Sequence, residues 1–374
     1  MVYNAYLSPL SRVPGPKYMA ASIVWYMYSV ASGKHHTHCY ELHRKYGPVV
    51  RFGPNQLSFS TASAYKQIYG HRSGKLEMTK DPLFYGVLPK SNLISSNVAD
   101  HARIRRLLAH AFSDRALREQ EDLIQKYVSL LISRLTNVAA EGRLAGMVSW
   151  YNFTTFDIIG DLAFGEPFDC LESSELHPWV RSIFAGVKAG AFIGAARFWP
   201  SLSNLLNKLI SKKLIEMREN HKVLSAEKVR RRLQQKTDRM DFTTYILRHN
   251  DEKGMSVEEI EANADLLILA GSETTATLLS GCTYQLLTNP QTLEKLKREV
   301  RSTFQSEDEI TIQRVSHLDY TLAVIEESLR MYPPVPIGLP RLVPDGGEDI
   351  EGIWVPGGVS HCFCYQSLES GTEL

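Results

Sequence analysis

Long apolar runs are missing from this 374-residue chain. The one near the N-terminus, Met19 to Val30, is about half the ~20 residues that a bilayer-crossing helix needs, and Ser22 and Ser29 interrupt it. No signal peptide, anchor or membrane-spanning helix is expected in the chain. An excess of one charge is missing too: 42 basic and 41 acidic side chains leave a net charge of +1. No global field favours nucleic acid, and a soluble or peripheral enzyme fits. Cysteine is scarce: Cys39, Cys170, Cys282, Cys362 and Cys364 are odd in number and lack framework spacing, which points to free thiols in a reducing compartment. With no Gly/Ser or Pro-rich linker, internal repeat or low-complexity tract, one large helical domain is expected.

What is present suffices for a core: 44% of residues are hydrophobic and 10% aromatic, which excludes disorder. Residues 1–20 read as an irregular lead, because the prolines in Ser8-Pro9-Leu10 and Val13-Pro14-Gly15-Pro16-Lys17 forbid a continuous helix. A short helix is expected over 36–46, stopped by Gly47-Pro48, followed by a hairpin of Val49 to Phe52 and Gln56 to Phe59. Gly70 to Asn97 reads as a long functional loop. Helices then dominate, near 99–111, 115–141, 148–163, 176–190, 203–235, 256–288, 290–304 and 318–331, before strand returns at Ile350 to Val355. The fold class is mainly α with small β-sheets. The basic run Lys228 to Arg232 is simplest as the wet face of a helix, and His35, His36, His38 and Cys39 as a chance cluster on a surface helix.

Two segments carry chemistry. Ser256-Val257-Glu258-Glu259 is a capping box and Asn289-Pro290 a stop, so a helix of about 32 residues, near 50 Å, is implied. Ile260, Ala264, Leu267, Gly271, Thr274, Leu278 and Gly281 share a stripe, and Leu266, Ile268 and Leu269 cover other faces, so the middle should be buried nearly all round. Gly271, Glu273 and Thr274 fall there. One reading is a packing glycine, a surface acid and threonines bonded back to carbonyls. The other is a glycine that admits a flat ligand and a threonine that opens the helix beside an acid, forming a proton relay. The second segment is Glu327-Ser328-Leu329-Arg330, whose charged ends are three apart and can pair, on a helix striped by Leu318, Leu322, Ile325 and Leu329. It runs into Met331-Tyr332-Pro333-Pro334-Val335-Pro336 and Leu339-Pro340-Arg341.

Together with Lys45-Tyr46-Gly47-Pro48-Val49-Val50-Arg51 and Phe156-Asp157-Ile158-Ile159-Gly160-Asp161-Leu162-Ala163-Phe164-Gly165, these motifs stand in an order that resembles the cytochrome P-450 monooxygenases, most closely the fungal, microsomal-type members. The resemblance runs from Pro9 to about Val359, and it implies a cytochrome P-450-like helical fold, incomplete at the C-terminus. It implies that Gly271, Glu273 and Thr274 lie on an oxygen-activating groove, Glu273 and Thr274 being catalytic and Gly271 cofactor-binding. His101, Arg105 and Arg341 would contact haem propionates, with Glu327 and Arg330 as the structural pair behind the haem. Haem, O₂, a lipophilic small-molecule substrate and NADPH electrons from cytochrome P-450 reductase are the implied cofactors and partners. The implied location is the cytosolic face of the endoplasmic reticulum membrane, whereas the chain as given, without an anchor, would be cytoplasmic or peripheral.

The chain departs from the expected family pattern in the cysteine loop, in the helix that should follow it, and in the stretch of only about ten residues before the proline lead. The axial cysteine belongs in a loop of the form F-x-x-G-x-R-x-C-x-G, and that pattern is absent here. Cys362 and Cys364 lack its glycine and arginine setting, and Cys-x-Cys with His361 lacks a fourth metal ligand. The expected division is a lead at 1–20, a partial domain at 21–360 and a non-family tail at 361–374. If loss of the cysteine loop and the helix after it bared even about 400 Å² of apolar surface, the cost would be near 10 kcal/mol. The expectation is a monooxygenase that is inactive as given; a non-catalytic relic, or a helical binding or scaffold protein, are the alternatives.

Overall fold

The structure is a computed structural model that describes residues 1–86, 88–89, 91–199, 212–235, 237, 239–248, 250 and 254–364. The expected segments at 203–211 and 365–374 lie outside these. The helices in chain order are α1 (Lys17–Ala21), α2 (Val24–Ala31), α3 (His35–Tyr46), α4 (Ala62–Tyr69), α5 (Pro82–Tyr85), α6 (Val98–Ala109), α7 (Asp114–Glu119), α8 (Glu121–Ala140), α9 (Met147–Phe164), α10 (Cys170–Ser173) and α11 (Pro178–Arg197). There follow α12 (Lys212–Gln234), α13 (Phe242–Arg248), α14 (Val257–Thr288), α15 (Pro290–Thr303), α16 (Ile312–Val315) and α17 (Asp319–Met331). The strands are β1 (Val49–Gly53), β2 (Gln56–Phe59), β3 (Thr79–Lys80), β4 (Arg341–Leu342), β5 (Glu348–Ile350), β6 (Ile353–Val355) and β7 (Ser360–Phe363). The mainly α class with small sheets is what the structure has.

Several expectations are corrected. The lead is not irregular but wound into single turns, Tyr3–Leu7 and Pro9–Arg12, because Pro9 sits at a first helical position where its missing N–H is not needed. The 115–141 helix breaks at Gln120, which is buried and donates its amide to the Ala111 carbonyl. The loop before Asn97 contains β3 and α5, and the strand at 350–355 is the β5–β6 hairpin.

The chain forms two compact units, one from Met1–Lys90, Ala185–Ile215 and Pro336–Leu374, the other from Ser91–Phe184 and Glu216–Val335. One boundary falls within α11, so no linker composition marks it.

The first unit is built on a five-stranded sheet ordered β1-β2-β7-β4-β3. β1 and β2 pair antiparallel as a hairpin, β7 runs parallel to β2, and β4 lies antiparallel to β7. The boundary expected at residue 361 therefore cuts a central strand: His361 pairs with both Leu57 and Arg341 and is buried. Leu10, Val13, Leu57, Phe59, Ile68, Val343 and Val355 make the core, and the lead is pinned to the sheet where the Arg51 N–H donates to the Pro14 carbonyl at 2.7 Å.

In the second unit α14 runs unbroken for 32 residues, started by the Ser256–Glu259 capping box. It packs against α9 in a core that includes Ile159, Ile260, Ala264 and Ile268. Its middle is not buried all round. The buried stripe is Ile260, Ala264, Ile268, Ser272 and Ala276, while Ala270 and Thr275 are exposed, because α14 leans on α9 along one face. The basic run is corrected as well. Arg232 is no wet-face residue: it is buried and grips Asp241 with two hydrogen bonds of 2.7 and 2.9 Å and Thr244 with a third. Lys228 pairs with Glu166 beneath the rings of Phe164 and Phe168. On α17 the apolar stripe Leu322, Ile325 and Leu329 is exposed, and Ser328 is the helix's buried residue.

Candidate functional site

In the second unit the candidate acid and alcohol stand side by side on α14. The Glu273 carboxyl is half-buried, its Oε2 has no hydrogen-bond partner among the described residues, and burial raises its pKa. A carboxyl that desolvation favours in its neutral form holds its proton readily and can pass it on. The Thr274 hydroxyl donates to the Ala270 carbonyl at 2.5 Å, an ordinary bond back to the preceding turn, and the helix is not opened. At Gly271 a built Cβ would stand 2.7 Å from Ile159 Cδ1. On that face the close neighbour is a side chain of α9.

His101 and Arg105 lie one turn apart on α6, the first half-buried and the second exposed. Among the described residues Arg105 has no carboxylate partner, whereas Arg103 is bound to Glu259 and Asp100. Glu327 and Arg330 form a two-pronged pair, Nε to Oε2 and Nη2 to Oε1, each 2.7 Å, which holds the Glu327 carboxyl below its ordinary pKa.

In the first unit Arg341 is held by partners that its sequence neighbourhood did not reveal. Its Nη1 donates to the Tyr85 hydroxyl at 2.7 Å, and its guanidinium lies over the rings of Tyr69 and Tyr85 at 5.3 and 5.6 Å. It has no carboxylate partner among the described residues. Lys80, its register partner across β3 and β4, is brought down to about 8 by burial and then by the Arg341 charge. Two adjacent cations in such a place fit a carboxylate-bearing ligand, the chemistry of a haem propionate. The same unit encloses an apolar cavity of about 200 Å³. Tyr26, Phe52, Ile337 and Cys362 line it with Phe84 from the long loop and Ala191 from α11. Only the partnering of distant segments creates it, so no local signal could have found Tyr26 or Cys362.

None of the five cysteines stands in an F-x-x-G-x-R-x-C-x-G setting. Cys362 sits in the centre of β7, and burial, reinforced by Cys364, pushes its thiol up to about 12. Cys39 is raised well above the ordinary value and Cys170 to about 11, both chiefly by burial, and Cys282 lies on α14. All five are free. His35 and His38 share the Ser29 hydroxyl at 3.1 and 2.7 Å, and among the described residues no group of three His, Cys, Asp or Glu is arranged to hold a metal ion. Nor is any described helix long and apolar enough to cross a membrane.

A family model described as Cytochrome P450 matches residues 13–368, and so runs through β7. The chain is 48% identical to cytochrome P450 monooxygenase astJ of Aspergillus oryzae over 381 residues, covering 100% of this chain and 76% of that protein. It is 47% identical to cytochrome P450 monooxygenase astA of Talaromyces wortmannii, covering 97% and 74%. To the averantin hydroxylase of Dothistroma septosporum it is 44% identical, covering 96% and 68%. With the ordered motifs and the helical architecture, these matches show that the chain belongs to the cytochrome P450 family.

Proposed function

We propose that the protein is the oxygenating component of a P-450 monooxygenase that hydroxylates or epoxidises a lipophilic small molecule in fungal secondary metabolism, at the cytosolic face of the endoplasmic reticulum. The observation that carries the reading is Glu273: a half-buried carboxyl of raised pKa, its Oε2 without a hydrogen-bond partner among the described residues, beside Thr274 in the middle of α14. In this family haem supplies the oxygen-activating chemistry, with O₂ as co-substrate and NADPH electrons delivered by cytochrome P-450 reductase. In the second unit His101 and Arg105, and in the first unit Arg341, are each proposed by the resemblance as a propionate-binding residue. Glu273 would hold a proton at Oε2 and Thr274 would share it through its hydroxyl. The apolar cavity, with Phe84 and Ala191 in its wall, suits a lipophilic substrate.

The axial thiolate is the part that these five cysteines do not supply, so the 374-residue chain by itself is proposed to be inactive. The test adds haem to the purified chain, and to the same chain extended by the stretch of astJ that lies beyond the matched part, and records the reduced carbon-monoxide spectrum. A thiolate-type Soret band is expected only from the extended chain. A band from the unextended chain would refute its inactivity; no band from a folded, extended chain would refute the haem reading.

A further inference from the structure

We propose that His361 selects, among lipophilic ligands of the apolar cavity in the first unit, those that carry a hydroxyl group, by accepting its hydrogen bond at Nδ1. The inference rests on the reading of that cavity as a substrate site and names the class of substrate. His361 is 1% exposed on the central strand β7 and lines the cavity together with Phe52, Phe84 and Ile337. Its buried Nδ1 has no hydrogen-bond partner among the described residues. The other nitrogen fixes the tautomer. Nε2 lies 2.9 Å from the Met78 sulfur, and a thioether can only accept, so Nε2 carries the proton. Burial, more than any charge, lowers the pKa of the ring to about 4, so at neutral pH there is no second proton. Nδ1 is therefore a bare lone pair, and the neighbouring Val359 carbonyl, itself an acceptor, cannot meet it. An acceptor left buried and unmet is costly, and a ligand that brings a donor recovers that cost.

The rest of the wall decides what kind of donor fits. The Ser360 hydroxyl donates to Asp81 at 2.6 Å and His35 Nδ1 meets the Ser29 hydroxyl at 3.1 Å, so these two polar neighbours are engaged elsewhere. A water at Nδ1 would want roughly two to four polar partners, and the wall offers it chiefly rings and alkyl groups. An ammonium would lose its hydration there while the charges of Arg341 and Arg72 act on the same imidazole. A carboxylate has no proton to offer. A hydroxyl on an apolar, preferably aromatic, body answers both halves of the site: the body lies against Tyr26 and Phe52, whose ring centroids are 5.5 Å apart, and the O–H reaches Nδ1.

The test measures equilibrium binding of 2-naphthol, and of its methyl ether, which has no donor, to the purified full chain. This readout needs no haem, so its outcome is separate from that of the carbon-monoxide spectrum. Naphthol is expected to bind about tenfold more tightly than the ether, the worth of one buried acceptor that is met rather than left unmet. His361→Phe, which keeps a ring but has no lone pair, should bind the two alike. Equal affinities for the wild-type chain, or a preference that survives in His361→Phe, would overturn the proposal while leaving the cavity as a ligand site. Binding of neither probe would overturn the cavity reading and this inference with it. A further measurement needs no variant: in the wild-type chain carrying isotope-labelled histidine, saturation with 2-naphthol should shift the nitrogen resonance of an unprotonated Nδ1, and the ether should leave it in place. No shift, or the same shift from both, would overturn the proposal as well.

Discussion

Ile159 fills the space that a side chain at residue 271 would need: a Cβ built on Gly271 stands 2.7 Å from its Cδ1. The contact fixes how closely α9 and α14 approach, since Ile159 is itself buried in the core and has nowhere to go.

Gly271→Ala is therefore expected to destabilise the protein. Alanine is favoured over glycine inside a helix by ~1 kcal/mol, but overpacking a core costs ~1–3 kcal/mol, and here the clash wins. Adding Ile159→Val, which removes Cδ1, should restore most of the loss. Gly281 provides the contrast: its Cβ would stand 2.6 Å from Tyr332 Cδ1, but Tyr332 is exposed and can swing away. Gly281→Ala should be neutral or slightly stabilising. Urea unfolding of the three variants decides it, and equal effects at both glycines would contradict the account.

The two-pronged ion pairs should differ in weight because they differ in burial. Asp241→Ala strands the buried Arg232 guanidinium and is expected to cost ~3–5 kcal/mol. Glu327→Ala breaks an equally short pair whose side chains are 59% and 42% exposed, and should cost less than ~1 kcal/mol. Thermal midpoints of the two variants will rank them.

His361 predicts loss of stability in acid. Burial, more than any charge, lowers its pKa to about 4, and its Nε2 meets the Met78 sulfur. The native state then refuses a proton that the unfolded chain accepts near the ordinary histidine value of ~6.5. The sign follows: the contribution is present above that value and is lost as pH falls towards 4, with His35, likewise lowered to about 4 by burial, adding to it. In a folded His361→Gln variant the fall in unfolding free energy from neutral to acid pH should be shallower than in wild type, and an identical slope would count against the assignment.

Glu273 acts in the opposite direction. Its pKa is raised, so the native state binds the proton more tightly than the unfolded chain and loses stability as pH rises beyond the ordinary carboxyl range. Glu273→Gln should be the more stable form at neutral pH, with the advantage vanishing in acid. Paired melting curves across that range test this; a variant less stable at neutral pH would mean that the carboxylate is satisfied.

Much of the architecture was readable from local chemistry. The Ser256–Glu259 capping box and Asn289-Pro290 bounded α14 almost to the residue, and Gly47-Pro48 ended α3 where it ends. These signals work because a helix end concerns backbone groups within one turn. The face of α14 that is buried was not readable: apolar residues lie all round the helix, and only the lean of α9 selects Ile260, Ala264 and Ile268. Arg232 shares its run with three other basic residues, Lys228, Arg230 and Arg231, and nothing in the run distinguishes the one that Asp241 takes inside.

The candidate site divides in the same way. Glu273, Thr274 and the Glu327–Arg330 pair could be singled out from spacing, since each involves neighbours within a turn of helix. The clamp of Tyr69 and Tyr85 on Arg341 joins residues more than 250 positions apart, and β7 becomes a central strand only because β2 and β4 flank it. The sequence by itself determined which segments are helical, where they stop and which family they belong to, because those properties are set by backbone bonding and side-chain chemistry at short range. The tertiary structure alone decided which charges are buried, which thiols are kept protonated and which glycines are indispensable. Those are settled by desolvation and steric exclusion, and both depend on what another part of the chain places alongside.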